Sequence, residues 1–440
     1  MILNMRRLIL GILIGCFSGS FAQTILTAEE AVALALRNNY DILLVRNDSA
    51  AYALDNRYAN YALLPRLNGS FSKVWTTNHQ KQELSDGSKR DRKGIKSNNL
   101  VSSVNLNWTI FDGLKMFATR DKAAEFQKLG ELSVRDQVVT SVASIFITYY
   151  EIVREEQQLT AIKEQMLISE ERVKIADRKY SVGLGSKPEL LQAKVDLNAQ
   201  KAGQLLRQTR ITQLKEDLNR LIGQPTGQYF EVTDSIPLNL EINMGAITTN
   251  LETSNPSLQV ALKNIDIANL TLKERKAERW PTISFNSAYN FSNSNNQAVI
   301  NTFTPLFNQN NGYNFGFGAI VPIFNGFNAR RLIKQAELDI QYQQLFFENQ
   351  RSLINTGISN AYKGYEYQKR ALLLEEENIQ LARENVAIAL ERFRQGVSTN
   401  LELREAQISL NDAYNRLIAA RYNTKLAEID LLRLKGDIIR

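Results

Sequence analysis

Along most of the chain apolar residues recur every three to four positions, and in two stretches they recur every second position. The first kind of pattern is longest between Leu114 and Tyr180, 67 residues without a proline, where Val142, Ile145, Tyr149, Ile152, Leu159, Ile162 and Met166 mark one stripe. A second proline-free run of the same length extends from Phe327 to Phe393. At 1.5 Å per residue each predicts a helix about 100 Å long. Helices of that length with a 3.5- to 3.6-residue period predict coiled-coil packing. Each run stops at a glycine, Gly183 or Gly396, suited to a left-handed cap. The chain restarts with capping-box spacing, Ser186 to Glu189 and Thr399 to Glu402. Return helices are predicted over 186–222 and 399–436, roughly 55 Å each. A further helix precedes each of the two sets. One runs from Thr27 to about Leu63, ahead of Pro65, and the other from Pro256 to Arg279, ahead of Pro281.

The two-residue period occupies about 66–111 and 282–324. Leu100, Val104, Leu106, Trp108 and Ile110 alternate with Val101, Ser103, Asn105, Asn107 and Thr109, and Leu67, Gly69, Phe71 and Trp75 form the matching face of the partner strand. In the later stretch Ile283, Phe285, Ser287, Tyr289 and Phe291 share a face, as do Tyr313, Phe315, Phe317, Ala319, Val321 and Ile323. Two hairpins are predicted, with strands of about 10 to 12 residues joined by polar loops from Thr76 to Asn99 and from Asn293 to Gly312. The alternation fits a transmembrane strand with one side to lipid and one to a wet lumen. It also fits a soluble, half-buried hairpin. The aromatic filling of one side and the long polar loops favour the membrane.

These elements come in two sets. Ile110-Phe111-Asp112-Gly113 returns 213 positions later as Ile323-Phe324-Asn325-Gly326, Gly183 returns as Gly396, and Glu189 as Glu402. Upstream the offset is 216, pairing Asn39 with Asn255 and Pro65 with Pro281. A repeat of this length predicts two equivalent halves. The first covers 23–223 and the second 256–440, with a connector at 224–255 that is rich in Pro, Gly, Thr and Asn and holds one short strand near Tyr229.

Composition narrows the function. Arg6 and Arg7 precede the apolar run Leu8 to Phe17, and Ser20-Phe21-Ala22 supplies small residues at the cleavage positions. Residues 1–22 therefore read as a secretory signal peptide. Within it, Leu13-Ile14-Gly15-Cys16 also has the form of a lipidation signal, with Cys16 as the acceptor. Cys16 is the only cysteine and His79 the only histidine, so a disulfide or a His/Cys metal site is not expected. No later run of 18 apolar residues exists, which leaves a β-barrel as the route across a bilayer. The net charge is +7, but the cations are interspersed with Asp and Glu along helical faces, a solvated pattern rather than a nucleic-acid surface. No phosphate loop, triad or metal cluster is visible, so neither an enzyme nor a cofactor is expected.

Four strands cannot close a barrel, so the chain must oligomerise. Here the sequence resembles the TolC-like outer-membrane efflux protein family. The resemblance rests on the duplicated strand-end motif, Thr109 to Gly113 and Pro322 to Gly326. It rests equally on the duplicated turns Tyr180-Ser181-Val182-Gly183-Leu184-Gly185-Ser186 and Phe393-Arg394-Gln395-Gly396-Val397-Ser398-Thr399. It implies an α+β membrane protein with an internal two-fold repeat. Three chains, four strands each, would form a 12-stranded β-barrel continued by a long α-helical coiled-coil tunnel across the periplasm. It implies a passive exit duct of a tripartite efflux pump or a type I secretion system in the Gram-negative outer membrane. The implied partners are a periplasmic adaptor protein, an inner-membrane transporter reached through it, and outer-membrane lipid. Adaptor contact is implied at Val182, Gly183, Leu184, Gly396 and Val397, whose glycines also have a purely structural use as helix ends. An entrance gate is implied at Glu402, Glu405, Glu189, Tyr180 and Phe393. Glu402 and Glu405 share a helical face and could ring the aperture. Glu402 is equally placed to cap its helix from Thr399. Phe393 stands where relatives can carry a gate-locking tyrosine, so that lock has no hydroxyl here. The competing expectation is a periplasmic coiled-coil adaptor or scaffold protein, which would share the helices but not the lipid-patterned strands.

Overall fold

A computed structural model describes residues 25–297 and 305–438. The signal segment and Cys16 lie outside the described residues. The described chain is mostly helical, with one four-stranded and one two-stranded sheet. In order it contains β1 (Ile25–Leu26), α1 (Ala28–Asn38), α2 (Tyr40–Ala59), β2 (Arg66–Glu83), β3 (Lys89–Phe111), α3 (Lys115–Ser181), α4 (Lys187–Ile222) and β4 (Glu231–Val232). There follow α5 (Met244–Thr248), α6 (Leu251–Ser254), α7 (Pro256–Ala277), β5 (Thr282–Asn296), β6 (Phe307–Ile320), α8 (Asn328–Arg394) and α9 (Asn400–Lys435). The chain divides into two compact units, one of residues 1–47, 132–259 and 350–440, the other of 48–131 and 260–349.

The first unit holds the helical core. On α8 Ile358, Tyr365, Leu372, Ile379, Val386 and Phe393 are all buried at a strict seven-residue step. On α9 Leu403, Leu410, Leu417, Thr424 and Leu431 keep the same step, with Ala406, Ala413 and Ala420 between them. A sustained seven-residue seam with small residues at alternate positions is the signature of close coiled-coil packing. Val142, Ile145, Tyr149 and Ile152 of α3 join Leu214 and Leu218 of α4 and Ala31 and Ala35 of α1 in a second cluster.

The opening helix is not continuous to Leu63. It breaks at Asn39, whose ψ of 124° is extended. The buried Asn39 side chain accepts from Ile42 N at 3.0 Å and donates to Leu221 O at 2.7 Å. It thus starts α2 and also satisfies a carbonyl at the end of α4, one of the acceptors a helix leaves unpaired. Asn255 makes the same pair of bonds, accepting from Leu258 N at 3.0 Å and donating to Leu434 O at 2.7 Å. Segment 231–242 is pinned to the helices by side chains. Thr233 N donates to Tyr149 Oη at 3.1 Å, Tyr365 Oη donates to Asn239 O at 2.8 Å, and Glu428 accepts from Asn239 N at 3.2 Å.

The second unit carries a four-stranded antiparallel sheet in the order β2-β3-β5-β6. The register aligns Leu67 with Leu106, Trp108 with Phe285, Val104 with Tyr289, Phe285 with Phe317 and Tyr289 with Tyr313, so one aromatic face runs across all four strands. The other face aligns Asn68 with Asn105, Asn107 with Asn286, and Asn286 with Gly316. The strands are longer than the alternation alone predicts. Where a loop is expected from Thr76 to Asn99, β2 and β3 continue to a turn at 84–88. A polar sequence there hides a ladder, because hydrogen bonding between strands does not need an apolar side. Conversely β6 ends at Ile320, short of Ile323, because Pro322 has no N–H to extend the ladder.

The strand-end motif has a local cause. Gly113 and Leu114 both have positive φ, 73° and 71°, and Gly326 and Phe327 repeat this at 62° and 60°. Two consecutive left-handed residues turn the strand into the helix. Asp112 then caps α3 by accepting from Met116 N at 3.0 Å, and Asn325 accepts from Ala329 N at 3.4 Å. A Cβ at Gly113 would lie 2.3 Å from Ala277 O, so space as well as conformation selects glycine there.

Candidate functional site: the paired helix turns

The two turns that join outgoing and return helices belong to the first unit. Gly183 and Gly396 each sit at φ 77° with open space where a Cβ would go, so conformation alone requires glycine. Leu184 N donates to Lys179 O at 2.8 Å and Gly183 N to Tyr180 O at 3.1 Å; Val397 N donates to Arg392 O at 3.0 Å and Gly396 N to Phe393 O at 3.2 Å. This is the Schellman arrangement, which satisfies the last helical carbonyls. It holds Val182, Leu184 and Val397 outward, 68 %, 81 % and 67 % exposed.

The restarts differ. Ser186 and Glu189 form a reciprocal capping box, in which Glu189 N donates to Ser186 Oγ and Ser186 N donates to the Glu189 carboxylate. Thr399 accepts from Glu402 N at 3.2 Å, but the Glu402 carboxylate does not reach back and stands 4.0 Å from Arg392. The Glu402 carboxylate is therefore more available than that of Glu189. Glu402 and Glu405 are both exposed, immediately beside the seam residues Leu403 and Ala406.

Phe393 is the last residue of the α8 seam, 3 % exposed, while Tyr180 is exposed. Lys179 lies over the Phe393 ring at 4.2 Å and donates to Phe393 O at 3.2 Å, so it ties the two turns together. Arg394 adds a contact to Glu171 at 3.7 Å.

Below the turns lies a network that the sequence reasoning missed. Arg172, 1 % exposed, donates to Asp196 at 2.5 Å and to Gln407 at 2.8 Å, linking α3 to α4 and α9. Gln407 donates to Ser169 at 3.3 Å, and Arg404 stands 3.2 Å from Asp196. These groups border a cavity of about 320 Å³. The signal was present: Arg172 occupies the apolar stripe of α3, where a charged residue must find partners inside. Higher up, Tyr414 donates to Glu164 at 2.5 Å and accepts from Arg383 at 2.9 Å. Burial, and then the Glu164 carboxylate, raise the Tyr414 hydroxyl above the usual tyrosine range. Among the described residues no His, Cys, Asp and Glu cluster is arranged to hold a metal, and no helix is long and apolar enough to cross a membrane.

The sequence profile of the family described as "Outer membrane efflux protein" matches residues 31–224 and 248–437. Alkaline protease secretion protein AprF of Pseudomonas aeruginosa is 23 % identical over 448 aligned positions, covering 96 % of this chain and 87 % of that protein. Outer membrane protein TolC of Vibrio cholerae is 23 % identical over 66 % of each chain. Solvent efflux pump outer membrane protein SrpC of Pseudomonas putida is 21 % identical over 91 % of this chain and 83 % of its own. Among solved structures, the Campylobacter jejuni CmeC outer membrane channel superposes with a TM-score of 0.77 at 17 % identity, covering 94 % of this chain and 86 % of that one. The outer membrane protein VceC of Vibrio cholerae gives 0.76 at 15 % identity, over 93 % and 96 %. The chain thus belongs to the outer membrane efflux protein family, whose members are exit ducts in the Gram-negative outer membrane that extend into the periplasm.

Proposed function

We propose that three copies of this chain close their sheets into one 12-stranded barrel, continued by the paired helices as a periplasmic tunnel, through which cargo leaves passively. The observation that carries this reading is the exposed aromatic face of a sheet with two open edges. Phe71, Trp75, Tyr313, Phe315 and Phe317 are each at least 69 % exposed, and among the described residues β2 and β6 each lack a neighbour on one side. Such a face is stable in lipid, and open edges in lipid require closure by further strands. Three copies give an interior wide enough for water.

In this assembly Val182, Gly183, Leu184, Gly396 and Val397 form the surface for an adaptor protein, which couples the duct to an inner-membrane transporter. Glu402 and Glu405 ring the entrance, where clustered carboxylates favour cations. Glu189 is committed to its helix cap, and Phe393 to the seam. The relatives are named for protease secretion and for solvent efflux, so the cargo follows the attached transporter and not this chain.

The test is single-channel recording in a planar bilayer of the detergent-purified protein, preceded by a check that it migrates as a heat-sensitive trimer. Wild type is expected to be cation-selective, and Glu402→Gln/Glu405→Gln to lose most of that preference at unchanged trimer yield. A soluble monomer without pores would overturn the barrel. Pores of unchanged selectivity would reduce the two glutamates to helix-end residues.

A further inference from the structure

The dipeptide asparagine–glycine occurs three times in the chain, at Asn68–Gly69, Asn311–Gly312 and Asn325–Gly326. All six residues are exposed. Their backbones differ. Asn68 and Gly69 lie within β2, paired with Asn105 and Val104, and Asn311 and Gly312 lie within β6, paired with Phe291 and Asn290. Asn325 and Gly326 belong to no strand or helix and form the passage from β6 to α8. Gly326 has φ 62°, and nothing stands within 4 Å of the place a Cβ would take.

The difference bears on one reaction. A glycine nitrogen can attack the side-chain amide carbon of a preceding asparagine, because no Cβ shields it and its backbone turns freely. Ring closure needs that nitrogen on the same side as the asparagine Cβ. A strand prevents this, since it holds ψ near about +135° and turns the nitrogen away. Leaving the ladder first would add the free energy of local opening to the barrier. At Asn325 no ladder has to open. Among the described residues neither Gly326 N nor Asn325 Nδ2 donates a hydrogen bond, so the attacking nitrogen and the leaving nitrogen are both unrestrained. The side chain is held only through its oxygen, which accepts from Ala329 N at 3.4 Å.

We propose that Asn325 is a site of spontaneous covalent modification, converting through a cyclic imide to aspartate and isoaspartate. Gly326 N bonds to Asn325 Cγ, the Cγ–Nδ2 bond breaks, and the amide nitrogen leaves as ammonia with the proton from Gly326 N. Water then opens the ring. Addition at Cγ restores the main chain and leaves aspartate. Addition at the main-chain carbonyl carbon of residue 325 leaves isoaspartate, with the side-chain carbon drawn into the main chain. Aspartate is the residue found 213 positions earlier, at Asp112, where both carboxylate oxygens accept from Met116 N, at 3.1 and 3.0 Å. One product thus replaces a long amide contact with a charged cap on α8. The other lengthens the passage from β6 to α8.

The test is incubation of the detergent-purified full chain in mildly alkaline water enriched in heavy oxygen, followed by peptide mapping with mass spectrometry. Each conversion takes up one oxygen from the solvent, so the label reports the site and the rate. Asn325 is expected to convert at least about tenfold faster than Asn68 and Asn311, which serve as exposed controls in the same sample. In the chain unfolded with urea and ionic detergent the three sites are expected to convert alike. No label at Asn325 in the folded chain, or equal label at all three sites, overturns the proposal. An undiminished lead of Asn325 in the unfolded chain overturns it too, because the preference would then belong to neighbouring residues and not to the fold. The labelling needs no conducting pore, so a failed bilayer recording bears on the duct reading and leaves this result standing.

Discussion

Asn39 and Asn255 show how much one side chain can organise. Each is buried, accepts from a helix start and donates to the end of a return helix. Asn39→Ala leaves Leu221 O and Ile42 N without these partners, and is expected to lower stability by about 1–3 kcal/mol. A lower melting temperature in far-ultraviolet circular dichroism, with unchanged helix content at 20 °C, is the expected result. Asp136 gives a prediction in pH. Burial raises its carboxyl above the ordinary aspartate value, only partly offset by Arg433. The folded chain therefore holds this proton more tightly than the unfolded chain. Its contribution to stability falls as pH rises from the ordinary carboxylate pKa through the raised one. Asp136→Asn is expected to melt higher than wild type at neutral pH. The two proteins should converge once the pH is below the ordinary aspartate range. A constant gap across pH would show that charge is not the cause.

At the scale of elements, the seven-residue seams explain the placement of the candidate gate. Phe393 closes the seam of α8, and Leu403 opens that of α9. Between them the turn exposes Val397 and leaves Glu402 and Glu405 on the flank. Phe393 lacks the hydroxyl of the tyrosine that relatives can carry at this position, and it ends the seam under Lys179. Just below, Arg172 ties three helices through Asp196 and Gln407. Arg172→Met removes the partner of a mostly buried carboxylate and is expected to destabilise by about 3 kcal/mol, less if Arg404 takes over. Adding Asp196→Leu should restore part of the loss, because an apolar pair needs no internal solvation. Thermal melts of the single and double variants give the comparison, and additive losses would exclude a direct tie.

For the whole molecule the proposed assembly turns on which face of the sheet meets lipid. If the aromatic face meets lipid, Phe317→Lys should cost about 2–4 kcal/mol in a bilayer and reduce assembled trimer. Asn286→Lys, on the opposite face of the neighbouring strand, should assemble normally. Heat-modifiable migration from isolated outer membranes reads both. Equal tolerance of the two lysines would remove the lipid assignment.

What the sequence determined by itself is what depends on neighbours along the chain. Thr27 with Glu30 and Ser186 with Glu189 are legible as caps because both partners lie within one turn. Gly183 and Gly396 are legible as helix ends because only a left-handed residue closes that turn. The aromatic alternation of β5 and β6 is legible because it has period two. Other features needed the tertiary structure. Asn39 reads as an ordinary helical residue until Leu221, distant in sequence, arrives beside it. Arg172 has a role only once Asp196 and Gln407 surround it. The polar stretch from Thr76 to Asn99 reads as a loop because its ladder is made by backbone groups, which composition does not reveal. The register of β2 on β3 shifts between Asn78, paired with Ile95, and Gln80, paired with Arg92, a matter of pairing that neither strand specifies alone.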